Sequence, residues 1–142
     1  MKPGNYIDMQ GNVIGKHKGV GCYTIGQRKG LGIAMGHPVF VVAKDVENNT
    51  VTIGEQEDLL RRKVYIRNVN LIPFERLTEP MRVTAVCRYH QKEQSATIHP
   101  IENDSMLVEF DQPQRAPAPG QTVVMYDSDM VIGSGVIDHT EL

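Results

Sequence analysis

The sequence predicts an all-β protein. Thirteen glycines and eight prolines are spread along the whole chain of 142 residues, and the apolar runs between them are short. Several of these runs alternate apolar and polar residues with the period of two that is typical of strands. Because 40% of the residues are hydrophobic, the chain can bury a core, and its length suits one ordinary domain or two small ones.

The first half of the chain contains a predicted hairpin and one further strand. Residues 38–44 are mostly apolar, as in a buried strand, and Glu47–Thr50 is a predicted turn because asparagine tolerates positive φ. The chain then returns in strict alternation, which predicts a hairpin over residues 38–54. Residues 55–62 place acids before bases, which suits one or two helical turns, and residues 64–71 predict another strand.

The second half predicts a small barrel. Residues 71–80 interrupt the alternation with a proline near each end, so we predict a domain boundary near residue 75, between domains 1–75 and 76–142. Beyond it, closure into a barrel would remove the exposed sheet edges of a series of short strands. The strands are predicted at residues 81–90, 95–101, 105–110, 121–127 and 130–138.

The formal net charge of −2 conceals an uneven distribution. Residues 1–100 carry 14 Lys and Arg against nine Asp and Glu, whereas residues 101–142 carry one against eight. The first part is therefore basic and the second acidic. Such asymmetry says more about partners than the total does, so the near-neutral sum does not exclude a nucleic-acid partner.

Targeting signals are not found in the sequence. No apolar run approaches the roughly 20 residues of a membrane helix, and the first residues have no signal-peptide core, so no membrane partner is expected. Two cysteines are not a disulfide framework, which favours a reducing, cytoplasmic location. Cys22 and Cys87 are both expected to be buried thiols.

The common catalytic and nucleotide-binding motifs are also absent. The patterns GxxxxGK[ST], GxGxxG, HExxH and GxSxG do not occur, and no Cys/His spacing suits zinc. No metal and no cofactor are therefore expected in this chain. The histidines are expected at surface or turn positions, and they are His17, His37, His90, His99 and His139.

Three segments nevertheless carry residues suited to binding. Residues 26–30 place two adjacent cations and a glutamine between glycines, where the backbone can approach a ligand and the cations can neutralise phosphates. An Arg-Tyr pair ends one predicted strand and offers a guanidinium fork and a ring. A glutamine follows a Pro-Gly turn. The candidates are Gln27, Arg28 and Lys29 in the first segment, Arg88 and Tyr89 in the second, and Gln121 in the third.

Each segment also has a purely structural interpretation. The glycine-rich segment can be a tight, solvated turn with ordinary surface cations. Tyr89 can belong to the core at a strand end, and Gln121 can be a polar turn residue. Composition and spacing leave both interpretations open for all three segments.

The order of motifs along the chain resembles the tRNA-specific 2-thiouridylases. The resemblance is strongest in residues 3–19 and in the run Tyr23–Ile33 (YTIGQRKGLGI), which is highly specific. Later segments agree in order: residues 87–91 (CRYHQ), 118–127 (APGQTVVMYD) and 131–137 (VIGSGVI). The match spans nearly the whole chain.

The resemblance implies a fold and an activity for a longer parent enzyme. Members of this family replace O2 of the wobble uridine of certain tRNAs with sulfur. They use an N-terminal domain that binds ATP with magnesium, and two cysteines that receive and transfer sulfur from a donor protein. The remainder is a small β-rich central domain followed by a C-terminal β-barrel resembling domain 2 of translation elongation factors.

The family's nucleotide loop and both of its catalytic cysteine motifs are missing from this sequence. Cys22 and Cys87 match neither motif, so the resemblance gives neither a catalytic role. The chain therefore looks like the central and C-terminal domains of the enzyme, and it is expected to be inactive alone.

The family's tRNA contacts fall on the three segments already identified. Arg88 and Tyr89 match its Arg-Tyr pair, and Gln121 matches the glutamine of its Pro-Gly-Gln turn. The loop that carries Gln27, Arg28 and Lys29 matches a central-domain loop expected to face the tRNA. His90 departs from the pattern, because the family usually has another basic residue there, and phosphate contact is expected to be weaker at that point.

The sequence as a whole predicts a non-catalytic, tRNA-binding portion of a 2-thiouridylase that holds the anticodon-loop region. The alternative is a β-barrel module that docks a sulfur donor or a translation factor, for which the acidic segment 101–142 would suit a basic partner. A complete small enzyme is a third possibility, which would require Cys22 to be reactive at neutral pH.

Overall fold

The computed structural model describes residues 2–87, 91–102 and 104–142. The regular secondary structure is almost entirely β, and the chain divides into two compact units, the first ending at Leu60 and the second beginning at Arg61. This confirms the predicted all-β class. In the described part of the chain, no helix has the length and apolar character needed to cross a membrane.

The first unit is built on a four-stranded mixed sheet. Its strands are β1 (Gly4–Ile7), β2 (Val13–His17), β3 (Phe40–Asp45) and β4 (Thr50–Gly54), in the order β2-β1-β4-β3. The pair β1–β4 is parallel and the other pairs are antiparallel. The hairpin predicted over residues 38–54 is confirmed as β3 and β4, with Asn49 at a φ of 55° in the connecting turn.

A long irregular segment between β2 and β3 supplies three of the seven buried apolar residues of this unit's core. It contains a 3-10 helix at Val20–Cys22 and covers one face of the sheet. The Tyr6 hydroxyl donates a 2.6 Å hydrogen bond to the Leu31 carbonyl, and burial raises the pKa of Tyr6, so the hydroxyl stays protonated to make this bond. The buried apolar residues of the cluster are Tyr6, Tyr23, Leu31, Val39, Val41, Val51 and Ile53.

The second unit is a closed six-stranded barrel, which confirms the predicted barrel. Val64, Ile98, Val108, Met125 and Ile137 are among the fully buried side chains of its core. Around the barrel the order is β10-β5-β8-β7-β6-β9. The strands are β5 (Leu60–Leu71), β6 (Met81–Val86), β7 (Gln94–Pro100), β8 (Met106–Arg115), β9 (Thr122–Asp127) and β10 (Met130–Glu141).

The division between the units lies earlier than the predicted boundary near residue 75. Strand β5 pairs with β10 from Lys63 to Leu71, so it belongs to the barrel and not to the first unit. Pro73 and Pro80 lie in the loop that joins β5 to β6, where they interrupt a strand without separating domains. The predicted helical turns shrink to a 3-10 helix at Gln56–Leu59 that directly precedes β5.

The two cysteines differ in exposure. Cys87 is 3% exposed and packs in the barrel core, as predicted. Cys22 is exposed, so the prediction of a buried thiol is wrong there. It ends the short 3-10 helix in the segment over the first sheet, and the sequence around it gave no periodicity from which to infer its orientation.

Ion pairs between strands cover part of the outer face of the barrel. Arg82 donates hydrogen bonds of 2.7 and 2.8 Å to the two carboxylate oxygens of Asp111. On a neighbouring stretch of the sheet, Glu109 lies 3.0 Å from Arg62 and 3.2 Å from His99. Arg67 also lies 3.9 Å from Asp138. Three carboxylates of the acidic segment, those of Glu109, Asp111 and Asp138, are thus paired with basic side chains of the barrel.

These pairs predict an acid-sensitive stability. The hydrogen bond and charge of Arg82 lower the pKa of Asp111; for Glu109, desolvation opposes the shift, but His99 and Arg62 outweigh it and lower the pKa. A lowered folded-state pKa adds stability above the unfolded value, about 4, which is lost as pH falls through the folded value. The urea concentration at the unfolding midpoint is therefore expected to decrease as the pH is lowered below about 4. The decrease should be less steep in Asp111→Asn than in the wild-type chain.

The matched control for this measurement is Asp129→Asn. Asp129 lies in the exposed turn between β9 and β10 and has no ion-pair partner among the residues that the structure describes. It should leave the acid limb of the pH profile unchanged. An Asp111→Asn variant with the same profile as the wild-type chain would contradict the assignment.

Candidate nucleic-acid interface

The glycine-rich loop at residues 24–30 is docked on the edge of the first sheet. The Gly26 N–H donates a 2.8 Å bond to the Val41 carbonyl, and the Val41 N–H donates a 2.9 Å bond to the Gln27 carbonyl. Gly26 and Gly30 have φ values of 92° and 77°, which a residue with a Cβ adopts only with strain. The glycines therefore shape a loop that is anchored by the backbone and not free in solvent.

Gln27 braces this loop with its side chain. Its Oε1 accepts a 3.0 Å bond from the Thr24 N–H, and its Nε2 donates a 2.9 Å bond to the Lys29 carbonyl. Both ends of the amide are thus used within the loop. The Gln27 amide therefore stabilises the shape of the loop, a role that sequence reasoning could not distinguish from a direct ligand contact.

Arg28 and Lys29 are the exposed residues of the braced loop. Neither side chain has a hydrogen-bond or ion-pair partner among the residues that the structure describes. Two adjacent cations held on a fixed backbone, with their charges uncompensated, form a site suited to phosphate oxygens. Gln27, Arg28 and Lys29 thus lie in one loop, in which Gln27 braces the backbone and the two cations face solvent.

An aromatic cluster holds the segments on either side of Cys22 in place. The rings of Tyr6, His17 and Tyr23 meet edge to face, with centroids 5.6–5.8 Å apart. The Tyr23 hydroxyl accepts a 3.0 Å bond from the Lys18 N–H, and the Tyr23 carbonyl accepts a 2.8 Å bond from Lys44 Nζ. The end of β2 and the start of the glycine-rich loop are therefore fixed to the same cluster.

His17 lies at the centre of this arrangement and is only 2% exposed, so its predicted surface position is wrong. Its Nδ1 accepts a 2.9 Å bond from the Gly19 N–H. Since Nδ1 must then be unprotonated, the proton is on Nε2, which donates a 2.8 Å bond to the Asn49 carbonyl. A neutral histidine with both nitrogens satisfied thus links β2 to the β3–β4 turn.

The charged residues are all basic along the chain segment that contains the loop. Residues 9–44 contain five Lys and Arg and no Asp or Glu. Lys44 is tied to Tyr23, whereas Lys16 and Lys18 are exposed like Arg28 and Lys29. Sequence reasoning missed Lys16 and Lys18 as binding candidates, although the acid-free segment was a visible signal for them.

The candidates in the barrel are only partly described. Arg88 and Tyr89, together with His90, lie outside the described residues, so their tRNA-binding role stays a prediction. Gln121 is half-buried, and its Oε1 accepts a 2.9 Å bond from the Ala118 N–H. Gln121 therefore braces its own Pro-Gly turn, as Gln27 braces its loop, while its amide nitrogen has no partner among the described residues.

The described residues contain no cluster of three or more His, Cys, Asp and Glu side chains that could hold a metal ion. The predicted candidates are thus the cations of the glycine-rich loop, the Arg88–Tyr89 pair, which lies outside the described residues, and Gln121, which braces its own turn. The described members of this set, the loop cations and Gln121, can position a polyanion by charge and hydrogen bonds.

Two family models match successive parts of the chain. The model described as "tRNA methyl transferase PRC-barrel domain" matches residues 1–55, and the model described as "Aminomethyltransferase beta-barrel domain" matches residues 61–137. The two matches correspond to the two units of the structure, on either side of the division after Leu60.

Proteins named tRNA-specific 2-thiouridylase MnmA are similar along nearly the whole chain. Those of Acetivibrio thermocellus and Clostridium acetobutylicum are each 50% identical over 137 residues, and that of Moorella thermoacetica is 51% identical over 138. The alignments cover 96–97% of this chain and 38–39% of the relatives, so the chain spans about two fifths of their length. By both family models and by these identities, the chain belongs to the tRNA-specific 2-thiouridylase family.

Proposed function

We propose that this chain is the tRNA-binding, non-catalytic portion of an ATP-dependent 2-thiouridylase that thiolates the wobble uridine of certain tRNAs. The observation that carries the proposal is the braced loop, on which Arg28 and Lys29 are exposed and uncompensated. The names of the relatives support tRNA as the substrate of the whole enzyme.

In this proposal the chain positions tRNA and performs no chemistry. Arg28 and Lys29 bind backbone phosphates, and Gln27 keeps the loop in its binding shape. Arg88 would bind phosphate, Tyr89 would stack or pack beside it, and Gln121 would hydrogen-bond through its remaining amide hydrogens. Holding the anticodon-loop region in a fixed place lowers the entropic cost of the reaction that follows.

The chemistry is assigned to the longer family chain that this sequence covers in part. ATP with magnesium, the catalytic cysteines and the sulfur-donor protein would act there, in the cytoplasm. Residues of this chain would contribute by retaining the tRNA while those groups act. Phosphate contacts of this kind position the nucleic acid and carry no sequence information themselves.

The test is binding of an unmodified tRNA to the chain over a series of salt concentrations. Each phosphate neutralised is expected to lower the slope of log K against log salt by about 0.7–0.9, so a loop with two contacts gives a clear negative slope. Absence of tRNA binding, or binding that does not weaken with salt, would overturn the proposal.

The alternative function is a protein-docking module that uses the acidic segment 101–142. The barrel pairs Glu109, Asp111 and Asp138 with arginines, which leaves less uncompensated acid than the composition indicates. A pull-down with and without ribonuclease separates the two functions, because an RNA-bridged complex is lost on digestion and a direct protein complex is not.

A further inference from the structure

Two aromatic rings are stacked on the outer face of the barrel. Tyr65 of β5 and His139 of β10 are direct partners in the antiparallel ladder, their ring centroids are 4.3 Å apart, and their planes differ by 11°. The side chain of His139 is 57% exposed, and Tyr65 is half-buried. The pair lies outside the three candidate binding segments, and neither residue belongs to the buried cluster of the barrel core.

Hydrogen bonds at their edges fix the orientation of both rings. The Tyr65 hydroxyl donates a 3.0 Å bond to Glu141, and His139 Nδ1 lies 2.7 Å from the Asp138 carboxylate, to which it donates. The backbone beneath is held by Ile66, which is 1% exposed. The rings therefore form a rigid platform, which costs little conformational entropy to use.

The charges beside the platform balance one another. Lys63 and Arg67 flank Tyr65 on the outer side of β5, and Glu141 and Asp138 flank His139 on β10. Arg67 Nε lies 3.9 Å from Asp138. A surface with two cations and two carboxylates attracts phosphate weakly, so a ligand here must be held by the ring faces and by groups that donate to the carboxylates.

We propose that the Tyr65–His139 pair is a stacking platform for one unpaired nucleobase of the bound tRNA, and that it favours a base with an amino group. The inference rests on the proposed tRNA-binding function. Aromatic side chains stack on any base, and carboxylates accept hydrogen bonds from exocyclic amino groups. Adenine, cytosine and guanine carry such a group and uracil does not, so the site prefers the first three.

The experiment uses the full chain and short single-stranded RNAs that carry one 2-aminopurine, whose fluorescence falls on stacking. Tyr65→Leu and His139→Leu are each expected to weaken binding roughly tenfold and to abolish the quenching. The loss should be the same at every salt concentration, because no phosphate contact is removed. Oligo(C) and oligo(A) should bind more tightly than oligo(U).

Two variants make the outcome specific. Tyr126→Leu removes a half-buried tyrosine from the outer side of β9 and should leave binding and quenching unchanged. Tyr65→Phe keeps the ring and loses only the hydroxyl, so it should retain most of the quenching. This variant also separates stacking from any loss of folding, which circular dichroism monitors in each protein.

Unchanged quenching in both leucine variants would overturn the platform, as would an equal loss in Tyr126→Leu. The platform would also be overturned, in favour of a protein ligand, if the leucine variants kept RNA binding but lost a protein complex that survives ribonuclease. If the wild-type chain binds whole tRNA with a salt-dependent affinity that the leucine variants share, only the platform fails. If whole tRNA does not bind, the proposed function fails, and the oligonucleotide quenching still decides the platform.

Discussion

Replacing His17 by leucine is expected to lower the free energy of unfolding by about 2–5 kcal/mol. The substitution removes the acceptor for the Gly19 N–H and the donor to the Asn49 carbonyl, at a position only 2% exposed. A buried backbone group left without its partner costs about 1–3 kcal/mol, and leucine removes the partner of the buried Gly19 N–H and of the half-buried Asn49 carbonyl. Leucine also loses the edge-to-face ring contacts with Tyr6 and Tyr23.

Urea unfolding followed by circular dichroism measures this loss. The matched control is His37→Leu, since the His37 side chain is 49% exposed and lies 3.7 Å from Glu55, so its loss should change stability by less than about 0.5 kcal/mol. Amide exchange at Gly19 and Lys18 should accelerate in the His17 variant alone. Equal effects of the two substitutions would show that His17 is not the link between β2 and the β3–β4 turn.

The barrel and the β3–β4 hairpin could be predicted because their side chains alternate between core and solvent. In β6, for example, Val83 and Ala85 are buried while Arg82 is exposed and pairs with Asp111. This alternation is a local pattern, so it can be recognised in the sequence without knowing which other strand pairs with it.

Strands β1 and β2 could not be predicted in the same way, because glycines replace the side chains that would reveal alternation. A Cβ on Gly4 would collide with the Asn49 carbonyl oxygen, and one on Gly15 would come within 3.3 Å of Tyr6 and Ile33. These glycines allow close approach of segments far apart in the chain. The same applies to the division after Leu60, which depends on the pairing of β5 with β10.

The candidate site was predicted in its residue types and not in its support. Two cations between glycines identified the loop, whereas the bracing amide of Gln27 looks the same in sequence as an exposed one. His17 and its partner Asn49 are 32 residues apart, so their contact exists only in the folded chain. The sequence therefore nominates candidate contact groups, which stay a prediction, and the fold is needed to find the groups that hold them in place.

Replacing both Arg28 and Lys29 by glutamine is expected to weaken tRNA binding roughly 25- to 60-fold at 0.1 M salt. Two phosphate contacts contribute about 1.4–1.8 to the magnitude of the slope of log K against log salt. Between 1 M and 0.1 M salt, a tenfold change, this slope corresponds to the same number of powers of ten in affinity, which is what the variant is expected to lose. Both side chains are exposed and without partners among the described residues, so the substitutions should leave stability within about 0.5 kcal/mol.

The control removes the same charge from elsewhere, as Arg76→Gln with Lys2→Gln, two exposed positions in segments that carry none of the predicted contacts. If the loop cations act by position, the control keeps the wild-type slope, and only the loop variant flattens it. If instead the whole field of the chain attracts tRNA, both double variants lose affinity alike, and the braced loop has no special role. Gln27→Ala keeps both charges but loosens the backbone that presents them. Its tRNA affinity should therefore lie between those of the wild-type chain and the loop double variant.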